Sequence, residues 1–159
     1  MSEYDAVAIA DVKDLKNTKG RILSVDFGEV RTGLAISDAS RFLASGIGNV
    51  KVGGIDKTAA EVARIAKEKG AVAAVVGLPR NMDGSEGARA ERCRKFADML
   101  KARTGLAVAM FDERMTTMTA SRYLNESDTR GKKRKNVIDT LSAQIILQNC
   151  LDRLRYMKG

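Results

Sequence analysis

The stretch Arg21-Ile22-Leu23-Ser24-Val25-Asp26-Phe27-Gly28-Glu29-Val30-Arg31-Thr32-Gly33-Leu34-Ala35-Ile36-Ser37-Asp38 decides how this chain folds. Its first part, residues 21–27, is a nearly unbroken apolar run that reads as a buried strand and reaches an acid, Asp26, at its tip. Residues 31–37 read as a second strand, and Gly28 in the connecting turn permits a positive φ directly after the acid, letting substrate or metal approach the backbone. A carboxylate at the end of an apolar strand is costly to place unless positive charge meets it. A purely structural account has Asp26 capping a turn and pairing with Arg31; a functional one gives it a cation to hold.

Working outward, residues 42–52 form a third strand-like stretch that Gly46 and Gly48 weaken, as at a bulge or an edge. Residues 55–69 carry one helical stripe, Ile55, Ala59, Val62, Ile65 and Ala66, closed by Gly70. Residues 71–76 are continuously apolar, the signature of a strand covered on both faces. A turn over 77–84 leads into a helix from Ser85 to about Arg103, with Asp83 or Ser85 as its cap and Glu86 in its first turn. Another strand, 106–111, precedes Asp112-Glu113-Arg114, where Thr116 or Thr117 is a candidate helix cap, and a helix near 117–125. A basic loop then opens the last helix, about 136–155. The order β-β-β-α-β-α-β-α-α predicts an α/β fold: a mixed five-stranded sheet, three antiparallel strands then two parallel ones, flanked by helices. Residues 1–19 are polar and weakly patterned, a short helix or a loose arm, and form an N-terminal extension to a single domain over 20–159.

The composition narrows the chemistry. The 159 residues carry a net charge of +8, with no histidine and two cysteines. Without histidine, Ser-His-Asp triads and histidine zinc sites are excluded. Cys93 and Cys150 lack metal-ligand spacing and read as reduced, semi-buried side chains. No apolar run approaches the ~20 residues that span a bilayer, and Met1–Asp5 lacks a basic signal-peptide flank, so a cytoplasmic protein is expected. Residues 101–159 hold 12 Lys/Arg against 6 Asp/Glu, and the run Arg130-Gly131-Lys132-Lys133-Arg134-Lys135 is the densest cluster. Such a run is either a solvated loop or a nucleic-acid contact.

Two further acids stand in settings like that of Asp26. Glu113 follows a strand beside Asp112, and strand parity does not choose which of the two faces Asp26. Asp139 shares a helical stripe with Ala143, Ile146 and Cys150 and leans inward. Three carboxylates within ~5 Å of one another repel by about 3 kcal/mol per pair at an effective dielectric of about 20, so they need a cation or a raised pKa. Oxygen-only ligands favour Mg2+ or Mn2+ over zinc. The turn at 77–85, with Arg80 and Arg89 nearby, offers backbone N–H groups as a phosphate cradle.

The four motif regions together resemble the YqgF family of Holliday-junction-resolvase-like nucleases. Asp26-x-Gly28-x-x-Arg31-x-Gly33-x-Ala35-x-Ser37-Asp38 is similar to its opening motif and Gly77-Leu78-Pro79-x-Asn81-Met82-Asp83-Gly84-Ser85 to its middle motif. Asp112-Glu113-Arg114-x-Thr116-Thr117 is similar to the third, and Ile138-Asp139 with Ile145-Ile146-Leu147-Gln148 to the fourth. The resemblance runs from about Arg21 to Asp152. It implies a ribonuclease H-like fold, with Asp26, Glu113 and Asp139 as the catalytic, metal-binding acids of a phosphodiester hydrolase using Mg2+ or Mn2+. The implied role is processing of the 5′ end of pre-16S rRNA, the alternative being resolution of Holliday junctions in branched DNA. Arg31, Arg80, Asn81, Ser85, Arg114, Arg130, Lys132, Lys133, Arg134 and Lys135 are the expected nucleic-acid contacts. A reading of a different class, a non-catalytic nucleic-acid-binding domain, predicts binding that survives loss of the acids. A monomer or a weak homodimer is expected.

Overall fold

The computed structural model describes residues 12–115 and 131–156, and their side chains apart from those of residues 115 and 131–139. Five strands, β1 (Arg21–Asp26), β2 (Thr32–Ser37), β3 (Ala44–Val50), β4 (Ala71–Leu78) and β5 (Ala107–Asp112), form one sheet in the order β3-β2-β1-β4-β5. β1 pairs antiparallel with β2, and β2 with β3, whereas β1–β4 and β4–β5 are parallel. This is the mixed sheet the pattern predicts. The ends of β1, β3, β4 and β5 therefore share one carboxyl edge.

Helices cover both faces. α1 (Ile55–Glu68) and α2 (Ala88–Thr104) lie on one side, α3 (Gly131–Tyr156) on the other. Alternation along each strand separates the two cores: Leu23, Val25, Ala74 and Val76 pack under α1 and α2, while Ile22, Ala73 and Val75 pack under α3. Phe27 stacks on Phe96 of α2 with ring centroids 4.7 Å apart and so anchors the tip of β1. Such a pair contributes about 0.5–1.5 kcal/mol beyond its buried area. Cys93 and Cys150 are both buried and unpaired, deeper than the semi-buried placement expected.

α3 is fastened to the edge strand by side chains that serve as substitute strand partners. Gln148 accepts a hydrogen bond from Ala44 N at 3.0 Å and donates to Phe42 O, and Gln144 donates to Ala44 O. The exposed rim of β3 is thereby occupied. Gly46 lies directly beneath Thr140, and the β2–β3 register shifts opposite Gly46 and Gly48, so the glycines mark both an edge and a bulge, as expected.

Several expectations need correction. The turn at 77–87 is longer than the pattern suggests: α2 starts after Gly87, so neither Asp83 nor Ser85 caps it, and Glu86 precedes its first turn. α3 starts at Gly131, not near Asn136, so Lys132–Lys135 occupy the first turns of a helix instead of a loop. Gly28 does not have a positive φ. A Cβ there would strike the carbonyl oxygen of Arg31, so the need for glycine is close packing of the turn on itself. The N-terminal extension is partly ordered structure. Val12–Asn17 forms a 3-10 helix whose Val12 and Leu15 are buried in the α3-side core. Arg41 ties it down, donating to Leu15 O, Thr18 Oγ1 and Gly20 O. The helix expected near 117–125, with its Thr116 or Thr117 cap, lies outside the described residues, as does Arg130.

Docking of α3 depends on Gly46. Gly46→Ala would drive a methyl into Thr140 Cγ2 and is expected to destabilise the chain by about 1–3 kcal/mol in urea unfolding. Thr140→Ser removes that methyl and should restore most of the loss in the double variant.

Candidate active site at the carboxyl edge

Asp26 ends β1 on the α3 side of the sheet, the face shared by Ile22 and Ser24. Its cross-strand partner on β2 is Gly33. On the other side, one step beyond the pair Val25–Val76, stands Gly77 of β4. Both lateral neighbours of the carboxylate thus lack side chains. Gly77 pairs in turn with Phe111 of β5, two residues before Glu113.

The Glu113 side chain folds back across Gly77. A Cβ at Gly77 would sit 3.2 Å from Glu113 Cδ and 2.8 Å from Ile146 Cδ1. Glu113, not Asp112, is therefore the acid that turns toward β1. Asp112 faces the opposite side and is engaged by arginines: Arg114 Nη2 lies 2.7 Å from Asp112 Oδ2 and Arg80 Nη1 3.7 Å. The Arg114 hydrogen bond is the main cause of a lowered Asp112 pKa. Glu113 behaves oppositely. Burial raises its pKa, with Arg89 opposing the shift and Asp112 adding to it.

Buried Cys93 of α2 lies within electrostatic reach of Glu113 and of Asp26. Its thiol is pushed up to about 12, chiefly by burial, then by the charge of Glu113 and, more weakly, by those of Asp26 and Glu29, with Arg89 opposing. The backbone brings position 139 toward the same rim. Ser24 Oγ donates to Ala143 O at 2.6 Å, and α3 runs from Gln148 over Ala44 to Thr140 over Gly46, toward the carboxyl edge. Position 139 lies one helical turn beyond Ala143 in that direction, as Asp26 lies two residues beyond Ser24. The Asp139 side chain itself is outside the described residues. Among the described residues no group of three or more acidic or thiol side chains is close enough to share a metal ion.

The other expected contacts are wired into the protein. Arg80 pairs with Glu86 as well as Asp112, and Arg94, which sequence reasoning missed, binds Glu86 through Nε and Nη2. Asn81 Nδ2 donates to Ser85 Oγ, Asn81 N to Ser85 O, and Ser85 N to Asp83 Oδ1. The 81–85 turn therefore consumes several N–H groups that a phosphate cradle would need. Arg114 Nη1 reaches Met82 O and joins this turn to the end of β5. Arg31 stands in the β1–β2 turn, five residues after Asp26, half-buried. The side chains of Lys132, Lys133, Arg134 and Lys135 are not among those described.

A mixed 3-2-1-4-5 sheet with acids at its carboxyl edge defines a ribonuclease H-like nuclease fold. Over 87% of this chain and 98% of the other, the structure superposes on Thermus thermophilus RuvC solved in complex with a Holliday junction substrate, with a TM-score of 0.56 at 14% identity, a likeness of fold alone. Residues 20–153 match the profile of RuvX, described as a Holliday junction resolvase, and the chain belongs to that family. Relatives named "Putative pre-16S rRNA nuclease" include one from Clostridioides difficile, 44% identical over 84% of this chain and 94% of the relative. Another, from Paracoccus denitrificans, is 41% identical over 87% of each chain, and one from Myxococcus xanthus is 43% identical over 85% and 89%. Among the described residues, no helix is long and apolar enough to cross a membrane.

The raised Glu113 pKa has a stability consequence with a definite sign. Between the ordinary Glu value, about 4.3, and the raised folded value, the folded chain binds more protons than the unfolded one. The contribution is present at acid pH and lost as pH rises through the folded value. In chelator, Glu113→Gln is expected to melt at a higher temperature than wild type at pH 7, the gap closing below about pH 4. Thermal melts across that range check it, and a variant that melts lower at pH 7 would contradict it.

Proposed function

We propose that this chain is a divalent-cation-dependent endonuclease that trims the 5′ end of pre-16S rRNA. The observation that carries the reading is Glu113 folded over Gly77, the β4 residue next in register to Asp26, at the carboxyl edge of the sheet. Glu113 is partly stripped of water there, and the neighbouring charge of Asp112 adds to the cost of ionising it, a cost that a bound cation would offset. An all-oxygen donor set fits Mg2+ or Mn2+.

Asp26, Glu113 and Asp139 are assigned as the residues that would hold the ion, Asp139 on the strength of its position along α3. When bound, a hard cation at this site supplies a more acidic water and neutralises charge on the phosphate. In the reaction, a water oxygen bonds to phosphorus, one ester P–O bond breaks, and the departing oxygen leaves with a proton from solvent. Asp26 is held in place for this by its strand and by the Phe27–Phe96 stack behind it. Arg80 and Arg114 act first by holding the 77–87 turn against β5. Lys132, Lys133, Arg134 and Lys135, in the first turns of α3, and Arg130 just before it supply the positive charge that the nucleic-acid backbone meets. Relatives at 41–44% identity bear a pre-16S rRNA nuclease name, which favours RNA. The family description favours four-way DNA junctions instead, a substrate whose symmetric cutting calls for a two-fold dimer.

Cleavage of a labelled pre-16S RNA 5′ segment and of a four-way DNA junction, each with Mg2+, separates the readings. Asp26→Asn is expected to lower the RNA cleavage rate on the order of 100-fold or more while leaving the fold intact. Undiminished cleavage by Asp26→Asn would eliminate the mechanism, and cutting of the junction alone would replace the substrate.

A further inference from the structure

Five arginines populate the amino-terminal half of α2 and the loops after β4 and β5, and four of them are spent on carboxylates. Arg92 Nε and Nη2 lie 2.9 and 3.2 Å from the two Glu29 oxygens. Arg94 binds Glu86 at 2.6 and 2.8 Å. Arg114 clasps Asp112, and Arg80 bridges Glu86 and Asp112. These four shape the rim.

Arg89 differs. It is exposed and, among the described residues, makes no hydrogen bond or ion pair, yet its charge is felt by both Glu113 and Cys93. Its position explains this. Arg89 stands one helical turn before Cys93 on α2, on the same stripe, and α2 begins at the carboxyl edge. Cys93 is buried, so Arg89 is set one turn nearer the carboxyl edge, where β4 hands over to α2. A guanidinium carries a planar fork of five donors that matches two oxygens of a carboxylate or of a phosphate. Glu113 is near, and the fork does not close on it. An exposed arginine ordinarily points into water; here, among the described residues, it is the one of the five not fastened to a carboxylate, and it stands at the carboxyl edge within electrostatic reach of Glu113.

We infer that Arg89 binds non-bridging oxygens of the phosphodiester brought against Asp26 and Glu113, and stabilises the negative charge that gathers there as water adds to phosphorus. The inference rests on the nuclease reading and gives it a specific substrate contact on α2. The acids serve the water side of the reaction; Arg89 serves the phosphate side. Among the described residues the guanidinium closes no hydrogen bond or ion pair, so little of the fold is expected to depend on it.

The test uses the full chain and two readouts. In cleavage of the labelled pre-16S RNA segment, Arg89→Gln is expected to lower kcat about 100-fold with a much smaller change in KM. Arg89→Lys should recover only part of that loss, since an ammonium is a point charge without the fork. In binding, measured by fluorescence anisotropy with the same RNA in an Asp26→Asn background, Arg89→Gln should reduce the slope of log K against log salt by about 1. The melting temperature should not move. Wild-type kcat with an unchanged salt slope would overturn the assignment. So would a lowered melting temperature accompanying the activity loss, which would make Arg89 a structural counter-ion of Glu113. Failure of the broader reading is distinct: Asp26→Asn would then cleave normally whatever Arg89 does.

Discussion

Asp26 stands between two glycines, and the rest of the site depends on that emptiness. On an ordinary parallel strand a residue at this row would be hemmed in by the side chains of its cross-strand neighbours, some 5 Å away. Here Gly33 and Gly77 contribute none. The vacancy over Gly77 is what Glu113 enters, and its other wall is Ile146 of α3. A single methyl at position 77 would collide with both. The arrangement therefore couples three elements that are remote in sequence, β1, β5 and α3, through a place where the chain has no side chain at all.

Around this gap the protein separates its acids into two kinds. Asp112, Glu86 and Glu29 are paired with arginines and serve as struts: they fasten the 77–87 turn to the end of β5 and to α2, and the β1–β2 turn to α2. The lowered pKa values of Asp112 and Glu86 follow mainly from hydrogen bonds donated by Arg114 and Arg94. Glu113 sits in a drier setting that pushes its pKa the other way. Adjacent residues in the chain, Asp112 and Glu113, thus fall into opposite classes because one lies on the strand and the other begins the 3-10 turn after it. Burying an acid in this way opposes its ionisation, and carboxylates with shifted pKa values of this kind gather at functional rims.

Strand existence, order and sense were legible in the apolar runs, because a sheet buried on both faces leaves an unmistakable pattern in β4 and β1. Asp26 was legible for the same reason, an acid where the run should stay apolar. The choice between Asp112 and Glu113 was not, since a 3-10 turn breaks the two-residue parity on which such a choice relies. The start of α2 was misplaced because Asp83 and Ser85 spend their side chains on an internal turn that looks, in one dimension, like a helix cap. Gly28 was assigned the wrong reason: backbone freedom and lack of space both select glycine, and only coordinates tell them apart. Arg94 and Arg92 carried no local signal, because their partners Glu86 and Glu29 are chosen by the fold and not by helical spacing.

The start of α3 was misplaced for a more telling reason. A run of lysines and arginines is a poor way to begin a helix: the N-terminal end already carries partial positive charge, and each cation there costs about 0.3–1 kcal/mol where an acid would help. The first turn of α3 holds no acid. Local physics therefore places the boundary after the basic run, near Asn136, yet the helix includes Lys132–Lys135. A feature that works against its own secondary structure is maintained by something outside it. Under the proposed function, polyanionic backbone would be that counterpart and would offset the helix-end penalty when bound. The same contact would bring phosphates to the carboxyl edge, toward which this end of α3 extends and where Asp26 ends β1 and Glu113 folds over Gly77.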